Sequence, residues 1–130
     1  MTDITFIDTS LRDGDQSLWG FRMRTGMILP VAEQLDQAGF EAIEPDVMLN
    51  FKRRLRDLRE EPWERITLLS KKITRTPLSM MAGTGGSKFQ TVPFAFTKLR
   101  LERLAAHGIK RVQIVGSLND MSFKVPETVG

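Results

Sequence analysis

Short apolar runs alternate along this chain with longer stretches in which apolar residues recur every three or four positions. Ile4-Thr5-Phe6-Ile7 is β-branched and aromatic and predicts a strand. Ser10 to Gly20 is rich in Gly, Asp and Ser and predicts a loop. Thr25 is placed to cap a helix running to about Ala38, with Ile28, Val31, Ala32 and Leu35 on one face and Gly39 at its end. Phe40 to Glu44 predicts a second strand, ended by Pro45. Phe51 to Arg59 and Pro62 to Ile73 predict two helices, with Pro62 in a first turn where its missing N–H is harmless. Pro77 to Met81 predicts a third strand, and Ala82 to Gln90, with three glycines, a loop. Phe94 to His107 predicts a helix closed by Gly108; Arg111 to Val115 predicts a fourth strand, with loop from Gly116 onward.

Strands alternating with helices imply parallel βαβ units in one α/β domain. Two architectures remain: an open doubly wound sheet, or the first half of an eightfold β/α barrel, which needs about 250 residues. Four strands in 130 residues are close to half of that. Pro126 to Gly130 predicts the start of a new helix, so residues 1–130 read as a truncated N-terminal segment. A half barrel would leave two open strand edges, an aggregation liability.

Composition adds exclusions. Apolar residues are 41% and charged residues 27%, enough to build a core and against wholesale disorder. The absence of cysteine excludes disulfides and thiolate metal sites. The N-terminus lacks a signal-peptide pattern, and no apolar run approaches the roughly 20 residues of a membrane span, so a cytoplasmic protein is expected. Much of the net charge of +3 sits in the run Lys52 to Arg59. Leu55 and Leu58 fall on one side of that run, and Arg53 with Asp57 and Arg56 with Glu60 are four apart. The run reads as a solvated helix face, not a nucleic-acid site.

Both architectures place chemistry at the C-terminal ends of strands. Asp8, Thr9, Arg12, Asp13, Asp15 and Gln16 crowd behind the first strand. Carboxylates there can hold a hard divalent cation, an Arg can stabilise an oxyanion, and Gln16 can bond a carbonyl. The competing reading is that Asp and Gly simply make a turn. The single histidine, His107, stands at a helix end and reads as a cap or a solvated side chain, not a ligand. Trp63, Met80 and Met81 read as packing, with Trp19 at the rim of the polar stretch.

The stretch DTSLRDGDQS, Asp8 to Ser17, resembles the signature of the pyruvate carboxyltransferase-like superfamily, which contains acyl-CoA lyases, isopropylmalate-type synthases and biotin-dependent carboxyltransferases. Arg22-Met23-Arg24-Thr25, Leu29-Pro30-Val31-Ala32, Leu35 to Phe40, Pro62 to Arg65, Pro77 to Met80, Gly108-Ile109 and Leu118-Asn119-Asp120 extend the likeness in order along almost the whole chain. They point to the branch holding the carboxyltransferase domain of pyruvate carboxylase and the α subunit of oxaloacetate decarboxylase. The resemblance implies a partial β/α (TIM) barrel that moves a carboxyl group between carboxybiotin and pyruvate, oxaloacetate or a related keto acid. It implies Asp13 as ligand to a divalent metal of the Zn, Mn or Co type, Arg12 as stabiliser of an enolate-like intermediate, and Gln16 as an orienter of the substrate or biotin carbonyl. Glu44 matches an acidic position near the metal, as ligand or support. A biotin carrier domain or subunit would be the partner, and the full-length protein a homo-oligomer.

Three positions depart from the pattern. No Arg follows the third strand, where Gly83 stands; Asp15 replaces a His; and Pro45-Asp46-Val47 replaces a glycine pair. The family's metal-binding histidines and modified lysine come from later strands. The 130 residues alone are therefore expected to bind metal weakly and to have no turnover. A lyase or aldol-type synthase of the same superfamily, or a catalytically silent paralogue serving as a binding or assembly subunit, are the alternatives.

Overall fold

In the computed structural model, residues 3–83 and 93–115 are described. Four parallel strands, β1 (Ile7–Asp8), β2 (Ala42–Ile43), β3 (Leu78–Gly83) and β4 (Ile109–Val115), lie side by side in the order β1-β2-β3-β4. Ile7 pairs with Ala42, Ile43 with Leu78, and Met80 with Val112. A doubly wound sheet reverses its strand order at a switch point, whereas a barrel wall adds each strand beside the last. The sequential order is that of a barrel wall, and it settles the choice the sequence left open.

The strands differ in length from the pattern-based expectation. β1 is only two residues long, and Ile4 and Phe6 before it are exposed. β1 lies at the sheet's edge, with no described strand on its outer side, so apolar residues there lack the second partner that would extend it. β3 runs on through Ala82 and Gly83, which were expected in a loop. The rest of that loop, and all positions after Val115, lie outside the described residues.

Helices α2 (Thr25–Ile28) and α3 (Ala32–Gln37) are joined by a 3-10 turn at Leu29–Val31 containing Pro30, which cannot donate to the helical ladder. The tighter winding shifts the phase of the apolar stripe. Ile28 and Ala32 stay buried and Leu35 packs beside them, but Val31 turns outward. Thr25 does not cap the helix with its own side chain. Its N–H and hydroxyl instead donate to the Glu60 carboxylate, at 3.1 and 2.9 Å.

Three short helical turns follow β2: a 3-10 turn at Met48–Asn50, α4 (Phe51–Arg53) and a π-helical turn at Arg54–Leu58. Leu58 is buried here but Leu55 is exposed, because the wider π turn breaks the spacing that put them together. The expected pairs four apart do not form. Arg56 pairs with its neighbour Asp57, and Glu60 serves Thr25.

α5 (Pro62–Lys72) starts with Pro62 in its first turn, and the Glu61 side chain accepts from the Glu64 N–H at 2.6 Å. α6 (Phe94–Ala106) leads into β4. Ile28, Ile43, Ile66, Leu69, Leu78, Met80, Leu104 and Ile109 form one buried cluster between sheet and helices. Met80 belongs to it, while Met81 is only half-buried.

Two fastenings hold the end opposite the strand C-termini. Asp36, at the end of α3, accepts backbone N–H bonds from Thr74, Arg75 and Thr76 at 2.7–3.1 Å. Burial pushes its carboxyl pKa up, but these N–H donors outweigh burial and bring it down to about 2. Gly108 enters β4 with φ of +100°, and a Cβ there would lie 2.5 Å from that of Ser70.

Candidate functional site

The polar stretch after β1 is helical, not a loop. The Thr9 carbonyl accepts from the N–H groups of Arg12, Asp13 and Gly14, at 3.1, 2.6 and 3.3 Å. This starts a π-helical turn, Ser10–Gly14, which continues as α1 (Asp15–Trp19). Asp8 caps the turn, accepting from the Ser10 N–H and hydroxyl at 3.3 and 2.9 Å. Leu11 anchors it in the core, and Gly20 ends it at φ of +56°.

The turn aims Arg12 at the end of β2. Its Nε donates to Glu44 Oε2 at 2.6 Å, and its Nη1 to Asp13 Oδ1 at 3.2 Å. Glu44 is 1% exposed and Arg12 17%, so the guanidinium is fixed through a nearly dry, charge-assisted bond. Glu44 is itself placed by its N–H, which donates to the Asp8 carbonyl at 2.9 Å and continues the β1–β2 ladder. Of the residues singled out from sequence, Arg12, Asp13 and Glu44 therefore come together. Gln16 does not join them: it is exposed on α1.

The described residues do not build a metal site. They contain no group of three or more His, Cys, Asp and Glu side chains arranged to share an ion. Glu44 is engaged by Arg12, Asp13 is half-exposed and bonded to Arg12 through one oxygen, and Asp8 is turned to Ser10. A hard divalent ion needs about six oxygen ligands, so these side chains alone are far from sufficient. His107 is not a candidate ligand of this group. It closes α6, its Nδ1 lies 2.7 Å from the Thr67 hydroxyl, and its ring stacks on Trp63 with centroids 5.0 Å apart.

Beneath the surface cluster lies a buried charge network that sequence reasoning missed. Asp15, Asp46, Arg54 and Arg65 are each 1% exposed or less. Arg54 donates to Asp15 Oδ2 at 2.8 Å, to both oxygens of Asp46, and to the Met23 carbonyl at 3.1 Å. Arg65 donates to the same Met23 carbonyl at 2.9 Å, and its Nε lies 3.5 Å from Asp46. Asp15 also accepts from the Met23 N–H at 2.9 Å, and Asp46 from Val47 N–H and Asn50 at 2.8 and 3.2 Å. Two anions and two cations thus join α1, the segment after β2, the π turn and α5. Desolvation lowers the Arg54 pKa, but its bonds to Asp46 and then Asp15 reverse the sign, so the net shift is upward. Arg65 has fewer such bonds, and burial leaves it lowered to about 10. The run Lys52 to Arg59 is therefore not wholly a solvated face, since Arg54 points inward. Asp15 and Asp46 were the visible signal, as two unrelated departures from the family pattern.

No family model matches the chain. It is 35% identical over 119 residues to a pyruvate carboxylase subunit of Methanocaldococcus jannaschii, covering 91% of this chain and 21% of that protein. It is 30% identical over 118 residues to the 2-oxoglutarate carboxylase large subunit of Hydrogenobacter thermophilus, covering 90% of this chain and 18% of that protein. The structure superposes on the carboxyl transferase domain of Rhizobium etli pyruvate carboxylase with a TM-score of 0.77 at 28% identity, over 88% of this chain and 20% of that one. The chain thus spans about a fifth of the length of the relatives it matches.

Proposed function

Starting from a chain homologous over nine-tenths of its length to the carboxyl transferase domain of pyruvate carboxylase, we propose that it is the opening part of a barrel that transfers a carboxyl group to or from a keto acid. The observation that carries this reading is the Arg12–Glu44 bond at the C-terminal ends of β1 and β2. A guanidinium held by a buried carboxylate needs no reorganisation when charge develops beside it. On this reading Arg12 faces the enolate oxygen formed as the carboxyl group arrives or leaves, and Glu44 positions Arg12. Asp13 is the carboxylate this chain would offer to a metal completed by ligands from elsewhere. Carboxybiotin would come from a separate carrier domain or subunit. Gln16 is a contact for that arriving group only after its side chain turns inward.

The substrate class is a 2-keto acid, with pyruvate or oxaloacetate first. The likeness to a 2-oxoglutarate carboxylase, and Gly83 where an Arg was expected, keep a longer keto acid as the second reading. Asp15, with both oxygens engaged in the buried network, offers no free carboxylate to the reaction.

Oxalate, which has the charge and shape of a keto-acid enolate, tests the assignment on the 130-residue chain. Titration should shift the Arg12 Nε–H resonance and the backbone signals of residues 10–16 and 44, and Arg12→Lys should weaken binding at least tenfold. Shifts confined to other surfaces, or unchanged binding by Arg12→Lys, would remove Arg12 from this role. The chain alone should leave oxaloacetate decarboxylation at the buffer rate; turnover would overturn the view that the site needs further parts.

A further inference from the structure

One residue fastens both ends of the Arg12–Glu44 bond. The Asp8 carbonyl accepts the Glu44 N–H at 2.9 Å, which sets the end of β2 against the end of β1. The Asp8 carboxylate accepts the Ser10 N–H at 3.3 Å and the Ser10 hydroxyl at 2.9 Å, which sets the first residue of the turn that carries Arg12. We propose that Asp8 is a positioning residue: through Ser10 its side chain holds the π-helical turn in the register that aims Arg12 at Glu44. The proposal rests on the carboxyl-transfer reading of Arg12 and adds to it the residue that sets the direction of the guanidinium.

The turn needs such a hold. A π turn is a rare winding, and its own backbone bonds do not select it. The Thr9 carbonyl takes the N–H groups of Arg12, Asp13 and Gly14 together, and the Asp15 N–H is shared between the Arg12 and Ser10 carbonyls. Bonds to the third residue back and to the fifth therefore compete along the same five residues. Tightening by one residue would rotate one end of the turn against the other by about 100°. Arg12 and Asp15 could not then meet Glu44 and Arg54 at once.

The rear of the turn is pinned, because Asp15 accepts from Arg54 and from the Met23 N–H in the buried network. Burial cannot pin the front, since Ser10 is exposed. The Asp8 carboxylate does so, with one oxygen on the Ser10 N–H and the other on its hydroxyl. With both ends fixed, the residues between them wind wide and Arg12 points along the strand ends. The Asp8 carbonyl, which no side-chain substitution removes, keeps Glu44 in place. A change of the Asp8 side chain thus loosens Arg12 and leaves its partner where it is.

Holding Ser10 needs an acceptor oxygen, whereas meeting a cation or a substrate needs the charge. Oxalate affinity and the Arg12 Nε–H resonance of the 130-residue chain separate the two. Asp8→Ala should weaken oxalate binding about three- to tenfold, the usual scale of a lost side-chain cap. It should also move the Arg12 Nε–H resonance upfield before any oxalate is added, as the 2.6 Å bond to Glu44 loosens. Asp8→Asn, which keeps an oxygen for Ser10, should return both readouts towards the parent. Ser10→Ala, which removes the 2.9 Å bond and leaves the Asp8 charge, should move both in the direction of Asp8→Ala. It also carries the test if Asp8→Ala does not fold. A lower melting temperature with affinity and resonance unmoved would make Asp8 merely structural and overturn the proposal. An Asp8→Asn chain as weak as Asp8→Ala, beside a Ser10→Ala chain like the parent, would overturn it by assigning the role to the charge. Oxalate binding untouched by Arg12→Lys would remove the functional reading alone, since the resonance of the oxalate-free chain still reports whether Asp8 sets Arg12.

Discussion

Arg54→Met should cost the protein a large share of its stability, about 3–5 kcal/mol. The guanidinium is 0% exposed and joins two carboxylates that are also fully buried. Methionine fills much of the same volume, so packing loss is small and the charge imbalance dominates. Two anions would then face Arg65 alone, and the Asp15 Oδ2 and Asp46 Oδ2 atoms would lose their main donors. Removing one partner of a buried ionic group costs about 3–5 kcal/mol, whereas domains have only about 5–15 kcal/mol in total. Urea unfolding followed by fluorescence of Trp19 and Trp63 measures the change, with midpoint and slope fitted separately. Arg56→Met is the control: its pair with Asp57 is exposed and solvent-screened, so the urea midpoint should stay that of the parent. Adding Asp46→Asn to Arg54→Met should recover at least about 1 kcal/mol, because one uncompensated anion is removed. An Arg54→Met protein within about 1 kcal/mol of the parent, or no recovery in the double variant, would refute the claim that charge balance holds this region together.

Asp36→Ala should be destabilised by at least about 2 kcal/mol at neutral pH, since a carboxyl pKa lowered from 3.8 to about 2 alone accounts for that much and the three N–H groups also lose their acceptor. That contribution is complete above the unfolded-state pKa and is lost as pH falls through the folded-state one. The gap between variant and parent should therefore narrow below about pH 4, and a gap that stayed constant in acid would count against the backbone cradle as its cause. Gly108→Ala should lower stability by more than about 1 kcal/mol, since it meets both a positive φ and the Ser70 side chain at 2.5 Å. Gly26→Ala in α2, where a Cβ meets nothing within 4 Å, should instead raise stability by about 0.5–1 kcal/mol, and thermal melts showing the opposite order would contradict both.

The elements that were legible in the sequence are those whose signals are local. The four strands, α5, α6 and the glycines that close helices follow from runs and periodicity within a few residues. The errors arose where distant partners decide. Ile4 and Phe6 have strand chemistry, but a strand needs neighbours, and at the open edge β1 shortens to two residues. Ser10 to Gly20 has loop composition, yet the Thr9 carbonyl gathers three N–H groups and Leu11 is buried, so the segment winds into a helix. Leu55 turned outward because a π turn, not an α turn, carries it.

The site was partly legible for the same reason. Arg12 and Asp13 are adjacent in a motif, and Glu44 ends the neighbouring strand, so the strand-end rule brought them together. The buried network was not legible, because Arg54 lies 8 and 39 positions from the two carboxylates it bonds. Yet its geometry makes two departures from the family pattern into one feature. Asp15 alone would be an unpaired buried anion, and so would Asp46; each would cost several kcal/mol. Arg54 bonds both, and Arg65 offsets the second charge. An aspartate at position 15 is thus held by the cation at position 54, and Asp46 by that same cation together with Arg65. The three positions form one electrostatic unit that holds α1, and so holds the turn carrying Arg12 and Asp13 against the end of β2. The network supports the turn that carries Arg12 and Asp13 from below, so two of the three departures from the family pattern act through packing, and Gly83 alone lies at a strand end.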